Sequence, residues 1–105
     1  MEACKPNIEK LEKLSKEYNI AEHLEIFKLL SNPIRLKIAL LLSCGEEFCT
    51  CDLERILEYE QTLISHHMRP FKELGLVTER RDGKWKHYSL KDERVKKMLE
   101  AVRRG

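Results

Sequence analysis

Seven of the ten residues from 33 to 42 are apolar: Ile34, Leu36, Ile38, Ala39, Leu40, Leu41 and Leu42. Asn32 suits an N-cap and Pro33 a first helical position, and Gly45 is a natural stop. A helix that is apolar almost all round has to be buried, so the remaining elements must pack about it. With 105 residues and 42% hydrophobic content, the chain can build one such core and therefore one domain, 1–105. At this size the core is marginal, and an interface with a second copy would help.

The flanking patterns supply the wrapping. Ile8, Leu11, Leu14 and Tyr18 recur at helical spacing behind Pro6, and Ile20, Leu24, Phe27 and Leu30 form a second stripe. A short helix over about 51–57 turns Leu53, Ile56 and Leu57 inward. After a turn at Glu58-Tyr59-Glu60, a longer helix over about 61–74 presents Ile64, Met68, Phe71 and Leu74 to the core, with Gly75 closing it. Pro70 lies inside that helix and predicts a kink. Strand-like runs over 76–80 and 85–90 flank Arg81-Asp82-Gly83-Lys84, and Asp-Gly between such runs predicts a hairpin. A last helix over about 92–103 carries Val95, Met98, Leu99 and Val102 on one face, with Arg103 and Arg104 at its C-terminal end. The expected fold is mainly α: a winged helix-turn-helix of five to six helices plus a two-stranded antiparallel hairpin, with terminal helices free to dimerise.

No apolar run approaches the roughly 20 residues of a membrane span. Glu2, Lys5, Glu9, Lys10, Glu12 and Lys13 interrupt the start, so no signal-peptide core is expected there. These features predict a cytoplasmic protein without a membrane partner. The formal net charge of +2 conceals an asymmetry: residues 1–60 carry 8 basic and 12 acidic side chains, residues 61–105 carry 12 and 6. The second half is where a polyanion would bind.

Two constellations carry chemistry. On the longer helix, Gln61, Thr62, Ser65, His66 and Arg69 share the face opposite the apolar stripe. Gln pairs with adenine and Arg with guanine, while Ser and Thr serve bases or phosphates. Arg80, Arg81, Lys84 and Lys86 surround the hairpin tip, where they suit phosphate or minor-groove contacts. His66 and His67, being adjacent, point in different directions and do not form a shared metal site.

The second constellation is Cys49-Thr50-Cys51 at the start of the short helix. In an extended stretch the alternate side chains point the same way, so both sulfurs can reach one ion. A helix N-terminus favours the thiolate, and thiolates select soft metals or metalloids. A reducing compartment makes structural disulfides unexpected. A third ligand must come from elsewhere. Cys4, on an arm able to swing over the short helix, is the first candidate. Cys44 is the second, though its place at the end of an apolar helix suggests a small buried side chain.

With both constellations in place, the chain resembles the ArsR/SmtB family of metal-sensing repressors over residues 26–90. The resemblance is carried by Leu30-Ser31-Asn32-Pro33-Ile34-Arg35-Leu36, Phe48-Cys49-Thr50-Cys51-Asp52-Leu53, Ser65-His66-His67-Met68, Glu73-Leu74-Gly75-Leu76-Val77 and Gly83-Lys84-Trp85-Lys86-His87-Tyr88. It implies a homodimer that binds an inverted-repeat operator in double-stranded DNA and leaves it when a soft ion binds. Cys49 and Cys51 match the paired thiols of the family's sensing helix. The bacterial arsenic repressors carry a third Cys where Glu54 stands here, whereas the cadmium branch recruits an N-terminal Cys, which Cys4 resembles. The zinc branch uses Asp and His on the last helix; Asp92 is present here, but that helix has no His. The expected inducer is As(III)/Sb(III) or Cd(II)/Pb(II), with no organic cofactor. Two alternatives are a thiol redox-switch regulator and a winged-helix protein-interaction module without DNA binding. No acid–base pair or phosphate-cradling glycine loop points to an enzyme.

Overall fold

The computed structural model describes residues 7–18 and 20–105. In chain order the elements are α1 (Ile8–Glu17), α2 (Ile20–Leu30), α3 (Pro33–Leu42), β1 (Phe48–Cys49), α4 (Thr50–Leu57), α5 (Gln61–Glu73), β2 (Val77–Asp82), β3 (Trp85–Leu90) and α6 (Glu93–Arg104). Helix α3 is central. Ile38, Ala39 and Leu42 are sealed from solvent, and α2, α5, α6 and β3 all pack against this helix. Its start is fixed by Asn32, whose Oδ1 accepts from the N–H groups of Ile34 and Arg35 at 2.9 and 3.2 Å. No described helix is long and apolar enough to cross a membrane.

Helices α4 and α5 form the helix-turn-helix. Leu53 of α4 and Ile64, Met68 and Phe71 of α5 are fully buried. Ile56, expected inward, is exposed, because the short helix offers the core only one narrow stripe. The chain leaves α4 through Glu58 in a left-handed conformation (φ 59°). Helix α5 then runs through Pro70 to Glu73, so the proline does not end it. Beyond it, Gly75 at φ 69° closes a Schellman motif: the N–H of Leu76 donates to the Phe71 carbonyl and that of Gly75 to the Lys72 carbonyl, each at 3.0 Å. That turn aims the chain directly into the wing.

The expected two-stranded hairpin is present and gains a third strand. The antiparallel order is β1-β3-β2, with Phe48 opposite Tyr88 and Cys49 opposite His87. Arg81 and Asp82, expected in the loop, are strand residues, since Asp82 pairs with Trp85. The loop is Gly83-Lys84, with positive φ only at Gly83, the pattern of a primed turn with glycine first.

The N-terminal helices behave differently from the rest. Helix α1 buries no residue. Helix α2 turns Ile26 and Leu29 to the core and leaves the stripe of Ile20, Leu24 and Phe27 outside.

Candidate thiol site and nucleic-acid interface

Cys49 ends β1 and is the N-cap of α4. Its Sγ accepts from the Asp52 N–H at 3.3 Å, and Asp52 Oδ2 accepts from the Cys49 N–H at 2.9 Å. The sulfur and carboxylate thus form a reciprocal capping box, with sulfur in the place of the usual hydroxyl. Cys49 is buried, and Cys51 is exposed in the first turn. Their sulfurs are joined in a disulfide, with Cα atoms 5.3 Å apart, against the expectation of free thiols. The expectation rested on cellular redox conditions. The bond follows from local geometry, because strand end and first helical turn aim both side chains at one point.

The donor atoms of Cys49, Cys51 and Asp52 all lie within 4.8 Å of one another. Once reduced, two converging thiolates at a helix N-terminus suit a soft ion. Disulfide and bound ion are mutually exclusive states of one pair. Cys44 is exposed, not buried as expected. Helix α3 ends at Leu42, two residues before Cys44. Ser43 fills the buried place, its hydroxyl donating to the Leu40 carbonyl at 2.6 Å, and Cys44 follows in the outer turn. Cys4 lies outside the described residues.

On α5, Gln61, Thr62, Ser65, His66 and Arg69 are all exposed on one face. His67 is buried, and its Nδ1 finds no hydrogen-bond partner among the described residues. Burial, together with the nearby Arg35 and His66 charges, holds its pKa below the ordinary histidine value. The sequence signal for this was the i, i+3, i+4 spacing of His67 with Ile64, Phe71 and the rest of the apolar stripe.

On the wing, Arg81 faces Lys86 across the strands, and the Lys84 ammonium lies 5.3 Å from the Trp85 ring centroid. Arg80 is engaged elsewhere. Its NH2 group donates to Glu47 Oε1 at 2.7 Å and its Nε to Oε2 at 3.0 Å. That bond holds the Glu47 carboxyl below the usual carboxylate range. Burial, helped by a hydrogen bond to Glu79, pushes the Tyr88 phenol up to about 12, so it anchors the sheet as a neutral group. A cleft of about 330 Å³ joins the pieces: Cys51 and Glu54 of α4, Gln61 and Ser65 of α5, and Lys84 and Lys86 of the wing all line it.

An exposed polar helix face, a basic wing beside it and a cysteine pair at their junction define a winged helix-turn-helix regulator with a thiol site. The chain belongs to the arsR family of bacterial regulatory proteins, whose family model matches residues 32–79. It is 45% identical over 76 residues to a cadmium resistance transcriptional regulatory protein CadC homolog of Staphylococcus aureus, covering 72% of this chain and 63% of that one. It is 45% identical over 67 residues to the arsenical resistance operon repressor of Escherichia coli, covering 64% of this chain and 57% of the repressor. The matches thus span less than two thirds of either relative. Among solved structures, HlyU from Vibrio cholerae superposes with a TM-score of 0.78 at 31% identity, over 84% of this chain and 95% of HlyU. The homodimeric winged helix-turn-helix DNA-binding domain of a Mycobacterium bovis protein gives a TM-score of 0.69 at 27% identity, over 80% and 77% of the two chains.

Proposed function

We propose that this protein is a homodimeric transcriptional repressor that holds an inverted-repeat operator when metal-free and leaves it when a soft ion takes the Cys49 and Cys51 thiolates. The observation that carries the reading is the position of the thiol pair. Cys49 ends the strand paired to wing strand β3, and Cys51 lies in the first turn of the helix packed on α5. An event at the two sulfurs therefore acts on both elements that would meet DNA. In this reading Gln61, Thr62, Ser65, His66 and Arg69 enter the major groove, and Arg81, Lys84 and Lys86 hold phosphates. Cys49 and Cys51 are the ion's first two ligands, with Cys4 as the third. Two thiolates favour As(III), Sb(III), Cd(II) or Pb(II) over hard cations. The names of the cadmium- and arsenic-resistance relatives, and the homodimeric state of the M. bovis domain, support the reading.

The test is a titration, under reducing conditions, of protein bound to a duplex selected from a random pool, using arsenite, antimonite, cadmium, lead and zinc. Release by at least one thiophilic ion, lost in both Cys49→Ser and Cys51→Ser, is the expected result. DNA binding that ignores all five ions overturns it.

A second reading has its own observation, the Cys49–Cys51 disulfide. In it, oxidation of the pair is itself the releasing signal. Release by a thiol oxidant in the absence of metal, reversed by a reductant, would single it out.

A further inference from the structure

We propose that the Glu47–Arg80 ion pair is the link by which the thiol site acts on the wing, and that Arg80 is a positioning residue of the response. The inference rests on the ion-release reading above.

The sheet order places the link. Among the described residues strand β1, which carries Cys49, pairs with β3 alone, and β2, which carries Arg80 and Arg81, lies on the far side of β3. Glu47 stands immediately before β1. Its carboxylate passes over the middle strand to Arg80, about two strand spacings away, or roughly 10 Å. The register puts Cys49, His87 and Arg80 in one row, Cys49 opposite His87 and His87 opposite Arg80, and Glu47 lies two residues before Cys49. Side chains alternate along a strand, so this row lies on the face opposite Tyr88 and Leu90, which are buried. Arg81, the next residue, projects from the other face beside Lys86.

The contact also has the right form for a link. A guanidinium held at two nitrogens of one edge by one carboxylate resists rotation, whereas a single point contact swivels. Lys72 and Glu79 make only one ion-pair contact, at 3.6 Å, and Arg104 and Glu100 lie on the same helix. Among the ion pairs of the described residues, Glu47–Arg80 alone joins the segment leading into the thiol site to the basic strand of the wing. With its fork filled by Glu47, Arg80 does not present that edge to a phosphate. A shift at the β1–α4 junction is then carried across the sheet to the backbone that positions Arg81.

The experiment uses reduced full-length protein, cadmium(II) as the probe ion and a duplex selected from a random pool. DNA affinity is measured with and without cadmium across a salt series, and cadmium binding is followed by thiolate-to-metal absorbance. In Glu47→Gln and Arg80→Gln, cadmium should bind as in the wild type, but the cadmium-driven loss of DNA affinity should shrink by about threefold to fivefold, the scale of a well-formed surface ion pair. Exchanging the charges, Glu47→Arg with Arg80→Glu, should restore the response. Should the exchanged protein not fold, Glu47→Asp, which keeps the carboxylate, must respond like the wild type. A wild-type-sized response in both single variants overturns the proposal. So does a fall of about 0.9 in the salt slope of Arg80→Gln, which would mark Arg80 as a phosphate contact. Wild-type protein that ignores cadmium and every other thiophilic ion fails the preceding reading instead, and shows it before any variant is made.

Discussion

Cys49 has two duties that ordinary substitutions separate. Its sulfur caps α4, accepting from the Asp52 N–H, and it belongs to the pair that meets Cys51. Serine is a good N-cap but a poor ligand for soft ions, and alanine is neither. Cys49→Ser should therefore keep the melting temperature of the reduced protein while losing the ion response. Cys49→Ala should lose both, with stability falling by about 1 kcal/mol in chemical denaturation. Equal stability of the two variants would show that the capping bond contributes nothing. His67 gives a pH signature. Burial, with Arg35 and His66 nearby, lowers its pKa in the fold, so the unfolded chain takes up the proton first as pH falls. Its contribution to stability is full above the unfolded value of about 6.5 and diminishes as pH drops below it, levelling off beneath the folded value. His67→Leu, which fills the site without a titrating ring, should flatten the fall in melting temperature between pH 7.5 and 5.5. A wild-type-like fall in that variant would place the pH dependence elsewhere.

Among the elements, the wing makes the sharpest claim. Arg81 and Lys84 are exposed at and beside its tip, and no ion pair of the described residues includes either. Lys84→Ala or Arg81→Ala should weaken binding to all duplexes alike and lower the log–log salt slope by about 0.9 each, while Gln61→Ala should relax preference at one base position. Unchanged affinity and slope in both wing variants would remove the wing from the DNA interface. The elements also show what could be read without coordinates. Helix α3 was legible because Asn32, Pro33 and a run of apolar residues agree on one answer, and the hairpin because Asp82-Gly83 marks its turn. Strand β1 was not, since a two-residue strand has no alternation to detect and exists only through its partner β3. The thiol pair was legible from spacing, but the fate of Arg80 was not. Its carboxylate partner lies 33 residues away and comes within reach only when the sheet forms. For the same reason the burial of Ser43 in place of Cys44 depends on where α3 stops, and composition does not settle a single turn.

The whole molecule is longer than its core requires. Its extents are 61 × 26 × 21 Å and its radius of gyration is 17.5 Å, against about 13 Å for a compact domain of this length. The excess accompanies α1, which buries nothing, and the outer face of α2. Phe27 is 59% exposed, Ile20 63% and Ile8 57%, and Leu11, Leu24 and Val102 extend the same apolar display. Scattered exposed apolar residues are ordinary, but two successive helices carrying continuous stripes are the mark of an interface. Between α2 and α6 the display deepens into a small cleft of about 60 Å³, lined by Ile26, Phe27, Val95 and Met98 among others. A second copy laid against this face would give the terminal helices a shared core. A two-fold pair could then set its α5 helices about 34 Å apart, one turn of DNA, which is why an inverted repeat is the expected operator. Sedimentation equilibrium at micromolar concentration should accordingly show a dimer, with a melting temperature that rises with protein concentration. Phe27→Glu puts a charge in the middle of the proposed contact without touching the buried residues Ile26 and Leu29. It should weaken dimerisation by about tenfold or more, the effect expected at a central aromatic anchor. DNA binding should weaken with it, because each protomer would hold only one half-site, while binding of cadmium by Cys49 and Cys51 should survive in some measure. A wild-type protein that sediments as a monomer would refute the interface and leave the length of the molecule without a cause.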